Sequence, residues 1–450
     1  MAGERDVSRR GFLRTSGLAA VGGGVLSGKA GVLPGRAGDA SSPVYHRQEL
    51  KIQAHRTLGR TGFQVSDIGF GGGALTNPNV LAVGLDMGIN YIDTAEHYVG
   101  GNSERAIGEV IRGRDRASIF LTTKLNLNFG GGSTKADLKR RFHACLERMQ
   151  TDYADCLMIH MTPRVEEVQN ESFHDAYQEL KAEGRVRFLG LSNHGTEHSV
   201  WGRIESPMER VIGAAAEDGR FDAALFVYNF LQKDQGERII EACRARDMGV
   251  TLMKTNPVGV VDQIVESAEE AKARGRLSEA RERLVEDYRV WAQAAEDFKE
   301  RHGVRSASEV RDASIKFCLS NPGVHTVCPT LNTFDDLEAA VALSGRTLST
   351  AETPMLASYE DLLGPYYCRH ACGICETSCP HQVPVNTISR YGHYFSAQGR
   401  QKQAIQKYAK LTGPKAEICA DCDGHCEAAC PFGVRARTLL TRAHENLTLA

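Results

Sequence analysis

Between residues 55 and 345, eight short apolar, largely β-branched runs alternate with segments patterned as amphipathic helices. The candidate strands are Asp67–Phe70, Asn90–Thr94, Ser118–Lys124, Cys156–His160, Arg187–Ser192, Ala223–Asn229, Val250–Lys254 and His325–Pro329. Segments such as Lys135–Gln150, Phe173–Glu183 and Glu237–Asp247 lie between them, each closed by a polar or Gly-bearing turn. Eight strands alternating with helices over about 290 residues predict an α/β chain folded as a (β/α)8 TIM barrel. A doubly wound open sheet is disfavoured, because no Gly-x-Gly-x-x-Gly opens a helix here. Gly71-Gly72-Gly73 lacks that spacing and reads as a flexible loop after the first strand. Residues 262–310 are highly charged and helical in character, an elaboration between strands seven and eight.

At 450 residues the chain exceeds one average domain. From about residue 350 the composition shifts towards Tyr, Pro and Cys, so the expected organisation is a barrel over 55–345 and a smaller, mainly helical domain over 350–450. Asn386–Leu411 reads as one or two helices within the latter. The 42% hydrophobic and 24% charged fractions are those of a soluble globular protein, and a net charge of -2 points to no nucleic-acid partner.

Eight of the thirteen cysteines fall in two runs that both end in Cys-Pro. The first is Cys368-x3-Cys372-x2-Cys375-x3-Cys379-Pro380 and the second is Cys419-x2-Cys422-x3-Cys426-x3-Cys430-Pro431. Such spacing is how thiolates wrap [4Fe–4S] clusters, so the tail predicts two of them in a ferredoxin-like domain. Structural zinc would instead pair two Cys-x2-4-Cys knuckles across a longer gap, and disulfides belong to small, core-poor domains. Each run carries one x3 where x2 is usual, which leaves the number of clusters open between one and two. The other five, Cys145, Cys156, Cys243, Cys318 and Cys328, sit in apolar stretches and are expected in the core.

Residues 1–45 stand apart from the fold. Ser8-Arg9-Arg10-Gly11-Phe12-Leu13-Arg14, followed by a weakly apolar stretch from about Leu18 to Leu33, is similar to a twin-arginine export signal. That stretch is too short and polar to span a bilayer. The resemblance implies passage through the twin-arginine translocase with cofactors already inserted, and a periplasmic or other extracytoplasmic location. Gly38-Asp39-Ala40 is a small-residue candidate for cleavage.

Barrel enzymes carry their chemistry at the C-terminal ends of the strands. Asp93 ends strand two, Tyr98 follows in the next loop, Lys124 ends strand three and His160 ends strand four. Each alone is more often structural; all four on the rim of successive strands point to catalysis. A phenol with a pKa of about 10 is a poor acid near neutrality unless its anion is stabilised. Lys124, held charged by Asp93, would stabilise that of Tyr98 and make it a general acid for a carbonyl oxygen. His160 would orient the carbonyl and donate to the developing alkoxide.

Together with Arg56-Thr57-Leu58-Gly59-Arg60-Thr61-Gly62, Asp93-Thr94-Ala95, Ser103-Glu104, Gly190-Leu191-Ser192-Asn193 and Tyr228-Asn229, these residues make 55–345 resemble the aldo-keto reductases, and the cysteine tail places the resemblance with an iron–sulfur-containing branch. The resemblance implies a catalytic tetrad of Asp93, Tyr98, Lys124 and His160, and a small carbonyl or alcohol substrate, such as a sugar. It also implies hydride from NAD(P), with Ser192 and Asn193 binding the nicotinamide carboxamide.

The nicotinamide site follows that family less closely than the tetrad does. Leu225 stands where a Gln is expected three residues before Tyr228, and the usual stacking aromatic falls near Met253-Lys254. After strand eight, residues 328–336 offer Asp335 and Asp336 but no Lys or Arg for a 2′-phosphate. Three arrangements stay open: a nicotinamide carried out tightly bound, electrons drawn from the chain's own clusters, or clusters that only staple the tail. Clusters move single electrons whereas nicotinamide moves hydride, and no flavin fingerprint bridges the two. The alternative to an enzyme is an electron-transfer protein whose clusters serve a redox partner and whose barrel is a docking scaffold.

Overall fold

The computed structural model describes residues 50–128, 132–195, 203–257, 273, 293–397 and 400–448. The export-signal candidate Ser8–Arg14, the cleavage candidate and most of the charged stretch 262–310 lie outside these residues. An antiparallel hairpin, β1 (His55–Thr57) with β2 (Gln64–Ser66), leads into the barrel. The barrel strands are β3 (Phe70–Gly71), β4 (Tyr91–Asp93), β5 (Phe120–Leu125), β6 (Ala154–Ile159), β7 (Val186–Asn193), β8 (Ala223–Val227), β9 (Gly249–Met253) and β10 (Thr326–Val327). All run parallel and are ordered in the sheet as in the chain.

The sheet closes on itself. Parallel bridges join Ile68 to Val327 and Gly71 to Thr330, and Gly71 N donates to Pro329 O at 3.0 Å. A Cβ at Gly71 would stand 2.6 Å from Pro329 O, so the first and last strands meet this closely only because residue 71 has none. The eight candidate strands are thus the eight barrel strands, with no end displaced by more than three residues. The glycine run is not the loose loop expected. Gly71 is in β3, and Gly72–Ala74 form a single 3-10 turn against Asp93 O and the Ser103 hydroxyl, where a side chain at Gly72 would collide.

Strands buried on both faces need two apolar layers. The inner one includes Tyr91, Phe120, Cys156, Met158 and Leu225, together with Leu58 and Val65 from the hairpin. The outer one fills the space between sheet and helices and holds Cys145, Cys243 and Cys318. All five scattered cysteines are buried, as expected. Cys328 differs from the rest in also facing the cavity described below.

The C-terminal region is mainly helical. Helices Val385–Ala397, Gln401–Ala409 and Ala436–Leu447 enclose a core of Ile388, Tyr391, Tyr408 and Leu440 that also takes in Cys419 and Cys426. The helix Glu352–Leu363 packs Met355 and Tyr359 against Phe230, Leu231 and Ala313 of the barrel. Barrel and tail form one compact unit from Glu49 to Ala450. Among the described residues no helix is long and apolar enough to cross a membrane.

Candidate active site and cysteine pockets

The four tetrad candidates converge at the mouth of the barrel. Lys124 is wholly buried, with its Nζ 2.6 Å from Asp93 Oδ1 and 2.7 Å from Thr94 O. Burial alone would strip the lysine of its proton, but Asp93 and then Tyr98 outweigh it and raise the ammonium above its usual value. Burial also pushes the Asp93 carboxyl up, with Lys124 pulling against it. The same ammonium lies 4.9 Å from the centre of the Tyr98 ring, and the His160 ring stands edge-on to Tyr98 at 5.5 Å. A charged lysine therefore sits between a carboxylate and a phenol that faces an open cavity.

Local sequence explains how Tyr98 reaches this point. Val99, Gly100 and Gly101 follow one another in the left-handed region, at φ of 53°, 64° and 84°, and reverse the chain sharply after the tyrosine. The β-branched Val99 holds that conformation at a strain on the order of 1–3 kcal/mol. The turn is pinned on both sides. Ser103 Oγ donates to Gly72 O at 2.8 Å, while Glu104 accepts from Thr123 Oγ1 at 2.7 Å and from Arg148 Nε at 2.6 Å. Ahead of it, Glu96 accepts from Asn126 N at 3.0 Å and pairs with Arg141.

The cavity over these residues measures about 1190 Å³. The barrel lines it with Asp93, Tyr98, His160, Leu225, Lys254 and Cys328, and the C-terminal region closes it with Tyr391, Tyr394, Arg400, Lys407 and Lys410. The tail's share was missed in the sequence, where nothing in the helix pattern of 386–411 says which face meets the barrel. Lys254 joins the two parts. Following β9 at φ 54°, it donates from Nζ to Tyr394 Oη at 3.0 Å and lies 3.5 Å from His370 Nδ1.

Ser192 and Asn193 end β7 as expected, but neither lines the cavity. Ser192 Oγ accepts from Met161 N at 3.0 Å; Asn193 donates from Nδ2 to Thr162 O at 2.6 Å and accepts at Oδ1 from Gly195 N at 3.1 Å. Leu225 does line it, so an apolar side chain occupies the expected Gln position. Tyr228 points away, its hydroxyl 3.4 Å from Glu237.

The eight tail cysteines gather into two small pockets, and not run by run. Cys368, Cys372 and Cys375 share one with Cys430 of the second run, while Cys419, Cys422 and Cys426 share the other with Cys379 of the first. Gly373 (φ 65°) and Gly424 (φ 77°) each supply a left-handed residue inside a run, and Ala371 (φ 51°) adds a second in the first. Asn386 Nδ2 donates to Cys368 Sγ at 3.3 Å. Among the described residues no three His, Cys, Asp or Glu side chains converge to hold a single ion.

Residues 68–361 match the model of the aldo/keto reductase family. The uncharacterized oxidoreductase YqkF of Bacillus subtilis is 24% identical over 319 residues, covering 68% of this chain and 95% of its own. Norsolorinic acid reductase of Aspergillus flavus is 37% identical over 134 residues, 26% of this chain and 33% of that protein. L-Galactose dehydrogenase of Arabidopsis thaliana is 30% identical over 152 residues, 30% of this chain and 47% of that one. Among solved structures, aldo-keto reductase AKR11C1 from Bacillus halodurans (holo form) superposes with a TM-score of 0.49 at 22% identity, covering 69% of this chain and 96% of its own.

Proposed function

Since the chain belongs to the aldo/keto reductase family and is an oxidoreductase, we propose that it reduces a small carbonyl, or oxidises the corresponding alcohol, at the barrel mouth. The observation that carries this reading is the buried Lys124 ammonium between Asp93 and Tyr98 on the wall of the cavity. Tyr98 gives its proton to the carbonyl oxygen, and Lys124, kept charged by Asp93, stabilises the phenolate left behind. His160 orients the carbonyl and donates to the alkoxide as charge grows there. A bound nicotinamide would supply the hydride. The cavity has room for one, while Ser192 and Asn193 are engaged by backbone and Leu225 offers it no hydrogen bond.

The cysteine pockets suit two [4Fe–4S] clusters with crossed ligation: Cys368, Cys372, Cys375 and Cys430 for one, Cys419, Cys422, Cys426 and Cys379 for the other. Bound clusters would supply or accept single electrons, and a redox partner protein would exchange them. The heptapeptide Ser8–Arg14 supports export by the twin-arginine translocase to the periplasm or another extracytoplasmic compartment.

The internal engagement of Ser192 and Asn193 favours a second reading, in which the clusters relay electrons to a partner and the barrel is a docking scaffold. The deciding experiment takes full-length protein purified without oxygen, counts iron and acid-labile sulfide, and follows reduction of small aldehydes and ketones with NADH and NADPH. Turnover with either nucleotide supports the reductase; background rates with both favour the scaffold, and zinc in place of iron removes the clusters from the account.

A further inference from the structure

The cavity is much larger than a small carbonyl requires, and among the described residues its lining carries more cations than carboxylates. Lys254, Arg311, Arg400, Lys407 and Lys410 line it, against the carboxylates of Asp93 and Asp336. Asp93 is paired with Lys124 at 2.6 Å, and Asp336 accepts from the backbone N of Thr333 at 3.2 Å and of Asn332 at 3.3 Å. On the barrel side Arg311 is held by Asp312 at 2.8 Å.

The cations of the C-terminal region are arranged by helix geometry. Arg400, Gln403, Lys407 and Lys410 recur at three- and four-residue spacing along Gln401–Ala409 and its ends, so they share one face, and all four line the cavity. Ala404 and Tyr408, on the adjacent face, are buried in the tail's own core. The helix is thus fixed by one face and presents a cationic stripe beside it. Like charges at such spacing repel, and a concave wall that concentrates them attracts an anion. A guanidinium beside two ammonium groups matches phosphate oxygens in particular.

We propose that the barrel mouth takes a ligand carrying a phosphate or pyrophosphate group, and that Arg400, Lys407 and Lys410 of the C-terminal region hold that group, with Lys254 and Arg311 on the barrel side. The cation missing after strand eight is then supplied from across the cavity. The inference rests on the reading of this cavity as the reductase site. The phosphate belongs either to a nicotinamide dinucleotide or to a phosphorylated substrate.

The test is calorimetric titration of full-length, cluster-loaded protein with pyrophosphate and with 2′,5′-ADP, repeated on Arg400→Gln and on the Lys407→Gln/Lys410→Gln double variant. Both probes bind the wild type, each variant weakens them by about tenfold or more, and added salt lowers affinity less steeply in the variants. Unchanged melting temperature and iron content show that the variants fold. Tyr98→Phe keeps the anion affinity even though turnover falls, so loss of the catalytic reading and loss of this one are told apart. Tighter binding of 2′,5′-ADP than of pyrophosphate assigns the phosphate to the dinucleotide. A lower KM for a phosphorylated aldehyde than for its unphosphorylated counterpart, with the ratio collapsing in the variants, assigns it to the substrate. If neither probe binds, or both bind the variants as they bind the wild type, the proposal is wrong.

Discussion

Lys124 Nζ and Asp93 Oδ1 lie 2.6 Å apart, the lysine wholly buried and the aspartate nearly so. Removing one member of a buried pair strands the other. Lys124→Met should therefore destabilise the protein by about 3–5 kcal/mol, and Asp93→Asn/Lys124→Met by less. The loss in the single variant should grow as the pH rises above the ordinary aspartate value of about 3.9. Burial raises the Asp93 carboxyl, and an acid whose folded pKa is raised above its unfolded value weakens the fold as pH climbs from the unfolded value towards the folded one. Urea unfolding over a series of pH values measures both effects.

Cys379 lines the pocket of the second cysteine run and Cys430 that of the first. Cys379→Ser should remove about half of the iron, as a single-cluster loss. Adding Cys419→Ser should remove no more, because both residues serve one pocket. Adding Cys368→Ser should remove nearly all of it. Ligation run by run gives the opposite pattern in the two double variants, and iron per chain distinguishes them.

Three imidazoles meet at the junction of barrel and tail beside Lys254. Burial, followed by Lys254 for His194 and by Arg390 for His370 and His393, holds all three well below the usual histidine value. The unfolded chain then binds more protons than the folded one as the pH falls through about 6.5. Stability should be fully present above that value and decline below it, by at most ~1.4 kcal/mol per imidazole per pH unit, and less for the half-buried His194 and His393. Melting temperatures from pH 8 to pH 5 should fall, and His393→Gln should flatten the slope.

Gly71 lets the first and last strands approach within reach of Pro329 O, beside the cavity. Gly71→Ala should cost about 1–3 kcal/mol through overpacking and raise KM as the mouth deforms. A variant as stable as the wild type would mean that the barrel seam gives way easily.

Much of this was legible in the sequence because periodicity and strand-end chemistry are local. Each of the eight strand cores was placed within three residues, and Asp93, Tyr98, Lys124 and His160 were picked out by their places on successive strands. What was not legible depends on contacts between distant segments. Spacing alone puts Cys379 with its own run; only the fold of the whole tail carries it to Cys419. Ser192 and Asn193 fit a cofactor motif, yet their polar atoms are taken by the backbone of residues 161, 162 and 195. Lys254 stood out only as a departure from an expected aromatic, and its bond to Tyr394 lies 140 residues away in the chain.

The central claim is that Tyr98 is the proton donor of this site. The most direct measurement is kcat for reduction of a small carbonyl by wild type and Tyr98→Phe, each purified full-length without oxygen and matched for iron content. Loss of a positioned general acid predicts a fall of about 10²- to 10⁴-fold in kcat with the fold intact. Turnover within a few-fold of the wild type would contradict the account.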